Sequence, residues 1–362
     1  MKKLVVFISG AGISGCFAGL LLNRAGHDVT ILEMRKDECS SESLAGRTIN
    51  FTLSKRGRNC LEKAGLLDEI LQSATPLLGR IIHFPIFNFK LRSTYGLMHD
   101  DLLHCVSRSD LHRLILNKAR SEGVNIIFES GIADLDPVEK TASCLSEGIQ
   151  KKINFDLFIG ADGVKSTTRD ILEKKNFVSV DMAKSNWCYT EEASAVIEER
   201  EDRNFLHVWP KWNQVICGLP DNDGRLVLNK IFQTDSKLEN KGHSIRRLKT
   251  HPWHAGSSTV LLGDAAHAIS PFLGQGMNLA LQDAEVLSSL IIKNGVDSCT
   301  LEKFETLMKP ITDELHDYSE KHFHTLAKKF LNPGYVFAVN VSAQIRKTFP
   351  RLGKSKYGRA TC

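Results

Sequence analysis

The stretch that most constrains this chain lies at its start. Leu4 to Ile8 is a continuous apolar run, the pattern of a strand buried on both faces of a parallel sheet. Gly10-Ala11-Gly12-Ile13-Ser14-Gly15 follows at once, then a helix pattern through Phe17, Leu20, Leu21 and Leu22 that Gly26 ends. Val29 to Leu32 reads as the next strand, with Glu33 at its tip. Strand, GxGxxG, helix, strand and acid within about 30 residues make one βαβ unit of the dinucleotide-binding kind. Gly10, Gly12 and Gly15 permit the tight turn and the close approach of a pyrophosphate, which the helix N-terminus neutralises. Glu33 is placed to accept the ribose hydroxyls of an adenosine, and an acid there argues against a ribose 2′-phosphate.

A second ligand signal stands near the other end, at Leu261 to Asn278 (LLGDAAHAISPFLGQGMN). It reads as the end of a buried strand from Ser258 to Leu262, an acidic turn at Asp264, a loop and a helix. Met277, Ala280, Leu281, Ala284, Leu287, Leu290 and Ile291 fall on one face of that helix. Gly274 and Gly276 let backbone approach a ligand, and the free N–H groups of the helix start favour a delocalised anion. Asp264 offers a carboxylate to hydroxyls. Between the two signals, Phe155 to Gly163 reads as a strand ending in Asp162-Gly163, either a carboxylate at the ligand or an ordinary Asp-Gly turn. Leu44 to Leu66 reads as a basic loop and a helix, with Arg47 poised to meet phosphate or flavin. Arg108 opens a helix after a short strand from His104 to Ser107. Residues 181 to 233 alternate apolar and polar, which predicts an antiparallel sheet, and 234 to 251 read as a polar loop. After Ile292 the chain is helical and polar.

Composition closes off several classes. Hydrophobic content of 42% and charged content of 25% describe a soluble globular protein. The net charge of +5 comes from dispersed basic residues with no Lys/Arg block, so no nucleic-acid partner is expected. The nine cysteines are odd in number and form no CxxC pair. This argues against disulfides and a metal site and for a reducing compartment such as the cytoplasm. No stretch is long and apolar enough for an integral membrane segment. A homodimer is an option the sequence leaves open.

The three motifs Gly10 to Gly15 with Glu33, Asp162-Gly163, and Gly263-Asp264 together resemble the single-component flavoprotein aromatic hydroxylases of the para-hydroxybenzoate hydroxylase fold group. Within that group the chain is similar to the branch that hydroxylates kynurenine. The similarity is carried by Gly46 to Asn50 with Leu53 to Gly57, Gly79 to His83, Tyr95-Gly96, Val106 to Arg108, Leu206 to Pro210, Pro252 to His254, and the stretch AHAISPFLGQGMN. It covers residues 2 to about 300 well and the C-terminal helices loosely.

The resemblance implies an α/β fold: a Rossmann-like FAD-binding domain with an inserted antiparallel-sheet substrate domain and C-terminal helices. The expected division is 1–75, 96–180 and 255–300 for FAD, 76–95 and 181–254 for substrate, and 301–362 for the helical region. It implies FAD held at Gly10, Gly12, Gly15, Glu33, Arg47, Arg108, Asp162, Asp264, Gly274, Gly276, Met277 and Asn278. NADPH is the transient reductant, and O2 and a small aromatic amino acid are the other partners. Arg80 and Tyr95 match the residues that hold the amino-acid carboxylate, and Pro271 and Phe272 match those lining the ring pocket. Asp317 stands where an Asn usually faces substrate, and Tyr335 is matched to a second C-terminal tyrosine. The implied chemistry converts L-kynurenine to 3-hydroxykynurenine through a flavin C4a-hydroperoxide, with no catalytic side chain. His267 reads as a packed histidine rather than a base. The chain is shorter than is usual for the group and lacks the C-terminal membrane anchor of its eukaryotic members. Two other readings stand beside this one: the same fold acting on another aromatic or polycyclic compound, including an antibiotic, and a non-catalytic FAD-binding protein.

Overall fold

The strand Val5–Ser9 lies in the middle of a parallel sheet. It pairs with Asp28–Leu32 on one side and with Leu157–Gly160 on the other. The whole sheet has six strands, in the order His254–Ala255, Thr259–Leu261, Leu157–Gly160, Val5–Ser9, Asp28–Leu32 and Asn125–Ile127. Only the short edge strand His254–Ala255 runs antiparallel. Val6, Ile8, Ile31, Leu157, Phe158, Ile159, Val260 and Leu261 are all fully buried, as a sheet covered on both faces requires. These descriptions come from a computed structural model and concern residues 2–37, 50–84, 89–95, 102–146, 148–196, 202–211, 213–222, 224–233 and 243–324.

A second sheet of seven strands carries its own core. Its order is His243–His251, Ser179–Val196, Arg225–Gln233, Gln214–Pro220, Phe205–Lys211, Gly79–Phe84 and Phe89–Thr94. Every pairing is antiparallel except that of Phe205–Lys211 with Gly79–Phe84. Ile82, Phe84, Leu91, Val208, Val215, Ile231 and Ile245 pack together apart from the core of the parallel sheet. The alternation read over 181 to 233 is this sheet. The loop expected at 234 to 251 is corrected over its second half, since His243–His251 pairs with Ser179–Val196. Ile245, Leu248 and Thr250 point inward while Arg246, Arg247 and Lys249 between them are half-buried at a sheet edge, so the strand has the composition of a polar loop.

The short strand expected at His104 to Ser107 forms as Leu103–Ser107, in a small sheet with Asn50–Leu53 and Thr75–Leu77, and Ser130–Asp136, Thr141–Ser146 and Ile149–Asn154 add a three-stranded meander that the sequence pattern does not announce. The 27-residue helix Ser298–His324 links the parts. Its Glu305 accepts from the Trp253 N–H at 2.8 Å and bonds His251 at 2.7 Å, and its Ser319 hydroxyl donates to the Ser270 carbonyl at 3.1 Å. Among the described residues no helix is long and apolar enough to cross a membrane.

Candidate cofactor and substrate site

The parallel register brings the three sequence motifs to one edge. Ser9 is level with Leu32 and with Gly160, and Gly160 is level with Leu261. Gly10, Glu33, Asp162 and Asp264 therefore all emerge just beyond the carboxyl ends of adjacent strands, where open α/β sheets bind ligands. Gly263 closes the arrangement. Its backbone, at φ 59°, lies in the region favoured by glycine, and a Cβ there would come within 3.3 Å of the Ser14 hydroxyl. Signals some 250 residues apart in the chain (roughly, by counting from Ser14 to Gly263) thus touch.

The GxGxxG glycines divide the work. A Cβ on Gly15 would fall 2.0 Å from the Gly10 carbonyl oxygen, and one on Gly10 2.5 Å from the Ala161 carbonyl oxygen, so these two allow backbone to pack on backbone. At Gly12 a Cβ would meet nothing within 4 Å. That open space, among the described residues, leaves room for a ligand to reach backbone. Gly12 caps the helix Ile13–Arg24, which has no side-chain cap and no acid in its first turn. Its first N–H groups and dipole are left for an anion.

The Glu33 carboxylate, buried, accepts from the Ala11 N–H at 2.9 Å and from the Arg35 N–H and Nε at 3.0 and 2.9 Å. Burial pushes its carboxyl up, but the hydrogen bonds from Arg35 and Ala11 outweigh this and hold it below the usual carboxylate range. Arg35 was not read as a site residue, although its place two residues after the acid was visible. His112, one turn after Arg108 on Arg108–Ser121, was also missed; its Nε2 lies 2.6 Å from the Ala11 carbonyl oxygen. The i, i+4 spacing from Arg108 was the available signal.

Asp264 is solvent-accessible yet so enclosed that burial pushes its carboxyl above the ordinary value, against the pull of His267 and Arg108. A carboxylate in that condition lines a recess. Arg108 is exposed and stacks over Phe51 at 5.9 Å from the ring centroid. Beyond the recess begins Gly276–Asn294, again with no side-chain cap and no acid in its first turn. Gly276 has only one atom within 4 Å of a notional Cβ, at 3.8 Å, and Gly274 adopts the left-handed conformation at φ 63°.

Three expected cofactor residues contribute differently. The Asp162 carboxylate is turned inward, where it accepts from the Ser166 hydroxyl and from the Thr168 N–H and hydroxyl, both at 2.9 Å. It anchors the start of Thr167–Lys174, so its side chain supports the local fold as well as standing at the sheet edge. Asn278, fully buried, donates to the Thr52 and Gly274 carbonyls and accepts from the Ser54 N–H, so it holds the glycine turn to its neighbour. Met277 is buried in the core. The site can receive these two residues only through their backbone. Arg47 and Tyr335 lie outside the described residues.

On the seven-stranded sheet Arg80 is level with Ser93, and the Tyr95 N–H donates to the Leu78 carbonyl at 2.9 Å. Arg80 and Tyr95 are therefore diagonal neighbours on one face of the hairpin. That face also bears Ile82 and, on adjoining strands, Leu206, Val208 and Cys217, and Phe272 of the Pro271–Leu273 turn packs on the same cluster. Pro271 is exposed beside it. Asp317 points to solvent. Its neighbour Tyr318 is half-buried instead, and burial raises its phenol while the charge of Arg80 lowers it. Tyr318, not identified from sequence, is the residue of that pair that turns toward Arg80.

Two carboxylates for hydroxyls, two uncapped helix starts and a glycine open to backbone approach, all along one sheet edge, fit an extended dinucleotide carrying a second ring system. The chain belongs to the FAD binding domain family, which matches residues 3–220 and 225–306. It is a flavin-dependent aromatic monooxygenase of the FAD-dependent hydroxylase group. Kynurenine 3-monooxygenase of Salinispora arenicola is 30% identical over 387 residues, covering 96% of this chain and 85% of that protein. The tetrameric form of 2-methyl-3-hydroxypyridine-5-carboxylic acid oxygenase superposes with a TM-score of 0.73 at 23% identity, covering 93% of this chain and 96% of that one. A variant of Klebsiella pneumoniae HpxO complexed with FAD gives 0.75 at 16% identity, covering 95% of each.

Proposed function

We propose that the chain hydroxylates L-kynurenine at the ring carbon next to its amino group, using NADPH and O2. The observation that carries this reading is the face shared by Arg80 and Tyr95. An apolar sheet surface of Ile82, Leu206 and Val208, covered by Phe272, suits an aromatic ring. A guanidinium and a phenol at one side of it suit a single carboxylate, which is costly to bury without a partner. An aromatic amino acid has both parts, and the similarity to kynurenine 3-monooxygenases supports kynurenine among them. We take residues 76–95 and 181–254 as the substrate-binding part, 1–75, 96–180 and 255–300 as the FAD-binding part, and 301–362 as the helical region.

FAD, when bound and reduced by NADPH, supplies the oxygen activation, one atom of O2 passing to the ring and the other to water. The chain's own residues bind and orient. Gly12 and the start of Ile13–Arg24 take the pyrophosphate, Glu33 the adenosine ribose and Asp264 the ribityl hydroxyls. The first N–H groups of Gly276–Asn294 offset negative charge on the ring system. Arg80 and Tyr95 fix the substrate's carboxylate so that its ring lies against Phe272. The apolar face keeps water from the reacting atoms. His267 is no base in this scheme, since its Nε2 is engaged with Asp283 at 2.7 Å deep in the core.

The test is oxidation of NADPH by the FAD-loaded protein across a panel of aromatic acids, with products identified by mass. L-kynurenine should stimulate oxidation and gain one oxygen atom at the 3 position. Stimulation and product from another aromatic or polycyclic compound, with L-kynurenine inert, would refute the substrate assignment.

A further inference from the structure

Behind Asp264 lies a buried charge cluster to which the scheme above gives no role. The four-residue turn Asp264–His267 packs against His243–His251 and Thr167–Lys174, and through His267 it reaches Gly276–Asn294 and Trp253. His267 is 4% exposed and Asp283 0%, and His267 Nε2 meets Asp283 Oδ2 at 2.7 Å. Trp253 lies across the imidazole with ring centroids 4.6 Å apart. The second Asp283 oxygen has no hydrogen-bond partner among the described residues. From the helix Ser298–His324 comes His316, 1% exposed, with neither ring nitrogen bonded among the described residues. The charges of Lys249, His267, Arg247 and Asp313 act on His316, and that of Arg108 acts on Asp264.

Asp264 is open to solvent on one side, but behind it Asp283 is shut in, and a carboxylate there opposes the ionisation of Asp264 unless a cation stands between them. Two histidines are available. Burial and the nearby Lys249 push His316 down to about 4, so it is neutral near pH 7. Burial also lowers His267, but the charge and hydrogen bond of Asp283, with the charge of Asp264, outweigh it and raise its pKa. Arg108, the other cation near Asp264, is exposed and therefore screened by water.

We propose that His267 is an electrostatic positioning residue: clamped between Asp283 and Trp253, its imidazolium sits behind Asp264 and keeps that carboxylate ionised toward the hydroxyls of the cofactor. The inference rests on the reading that Asp264 faces the ribityl chain, and Asp264→Asn tests that reading on its own.

The experiment measures FAD dissociation from the holoprotein by recovery of flavin fluorescence between about pH 5 and about pH 8.5, a window that starts above the ordinary aspartate value and spans the ordinary imidazole value. Wild type should hold FAD with little change over this range. In His267→Gln, Asp264 loses its main counter-charge and takes up a proton as the pH falls. Its FAD dissociation constant should then rise about tenfold per pH unit toward the acid end. His267→Asn, a second neutral replacement that keeps Asp283 in place, should show the same slope and guards against a His267→Gln variant that does not fold. In the double variant His267→Gln/Asp264→Asn the slope should vanish. A shift that is constant across pH in both single variants, or no shift, would overturn the inference. Unchanged FAD binding in Asp264→Asn would overturn the reading beneath it.

Discussion

Replacing Asn278 with Ala should unfold this protein's ligand edge from within. The side chain is fully buried and makes three hydrogen bonds: from the Ser54 N–H to Oδ1 at 2.9 Å, and from Nδ2 to the Thr52 and Gly274 carbonyls at 2.8 and 3.2 Å. Ser54 is itself fully buried and caps Lys55–Lys63, so its N–H has no water to turn to. An N–H orphaned in that way costs roughly 1–3 kcal/mol, and the lost donations add roughly 0.5–1.5 kcal/mol. Gly57 packs beside Oδ1, where a Cβ would fall 2.4 Å from it, so truncation leaves a void against backbone. Asn278→Ala should therefore lose about 2–4 kcal/mol of a total stability on the order of 5–15 kcal/mol. Urea denaturation of the apoprotein measures it. FAD affinity should fall as well, since the Gly274 turn that presents the helix start is no longer held. Asn278→Asp keeps the acceptor for Ser54 but places a carboxylate against two carbonyls. Its carboxyl is raised in the folded state, so this variant should gain stability as the pH falls. An Asn278→Ala protein within about 0.5 kcal/mol of wild type would refute the assignment of Asn278 as a clamp.

The remaining predictions address the other parts of the site. Arg80→Ala should weaken L-kynurenine binding by roughly 2–5 kcal/mol, the range for truncating one side of a buried charge pair, with FAD content unchanged. Titration of kynurenine against flavin fluorescence reads it, and equal dissociation constants would remove Arg80 from the site. Asp264→Ala should lose FAD while the apoprotein stays as stable as wild type. Asp162→Ala should instead lower the apoprotein's melting temperature, because it removes the anchor of Thr167–Lys174. Glu33, held below its ordinary value, adds stability above the unfolded-state pKa near about 4.3 and loses it as the pH falls through the lower folded value. Melting curves should show that acid-side loss in wild type and a smaller one in Glu33→Gln.

The parallel βαβ start, the helix after Gly276 and the alternating strands of 205–233 were legible because their patterns are local. A strand buried on both faces must be apolar throughout, and a half-buried one must alternate. The strand His243–His251 was not legible, since an edge strand with half-buried lysines and arginines carries the composition of a loop. The meander at 130–154 escaped for a similar reason: much of it is exposed, and Ile149–Asn154 buries almost nothing. Within the site, Glu33 and the glycines stood in a spacing that has one physical use. Asp162, Asn278 and Met277 shared those motifs, yet which way each side chain turned depended on neighbours from other segments.

That difference marks the boundary between what the chain's order determines and what its packing decides. Glycine positions, the acid at a strand tip and helix starts without acids follow from residues near in sequence, so the capacity to hold a dinucleotide could be read before any coordinate. The commitments of polar side chains could not. Asp162 spends its lone pairs on Ser166 and Thr168, His267 meets a carboxylate sixteen residues away, and Tyr318 rather than Asp317 turns toward Arg80. A buried polar group must find its partner among whatever segments surround it, and those surroundings exist only once the two sheets and the helix Ser298–His324 have come together.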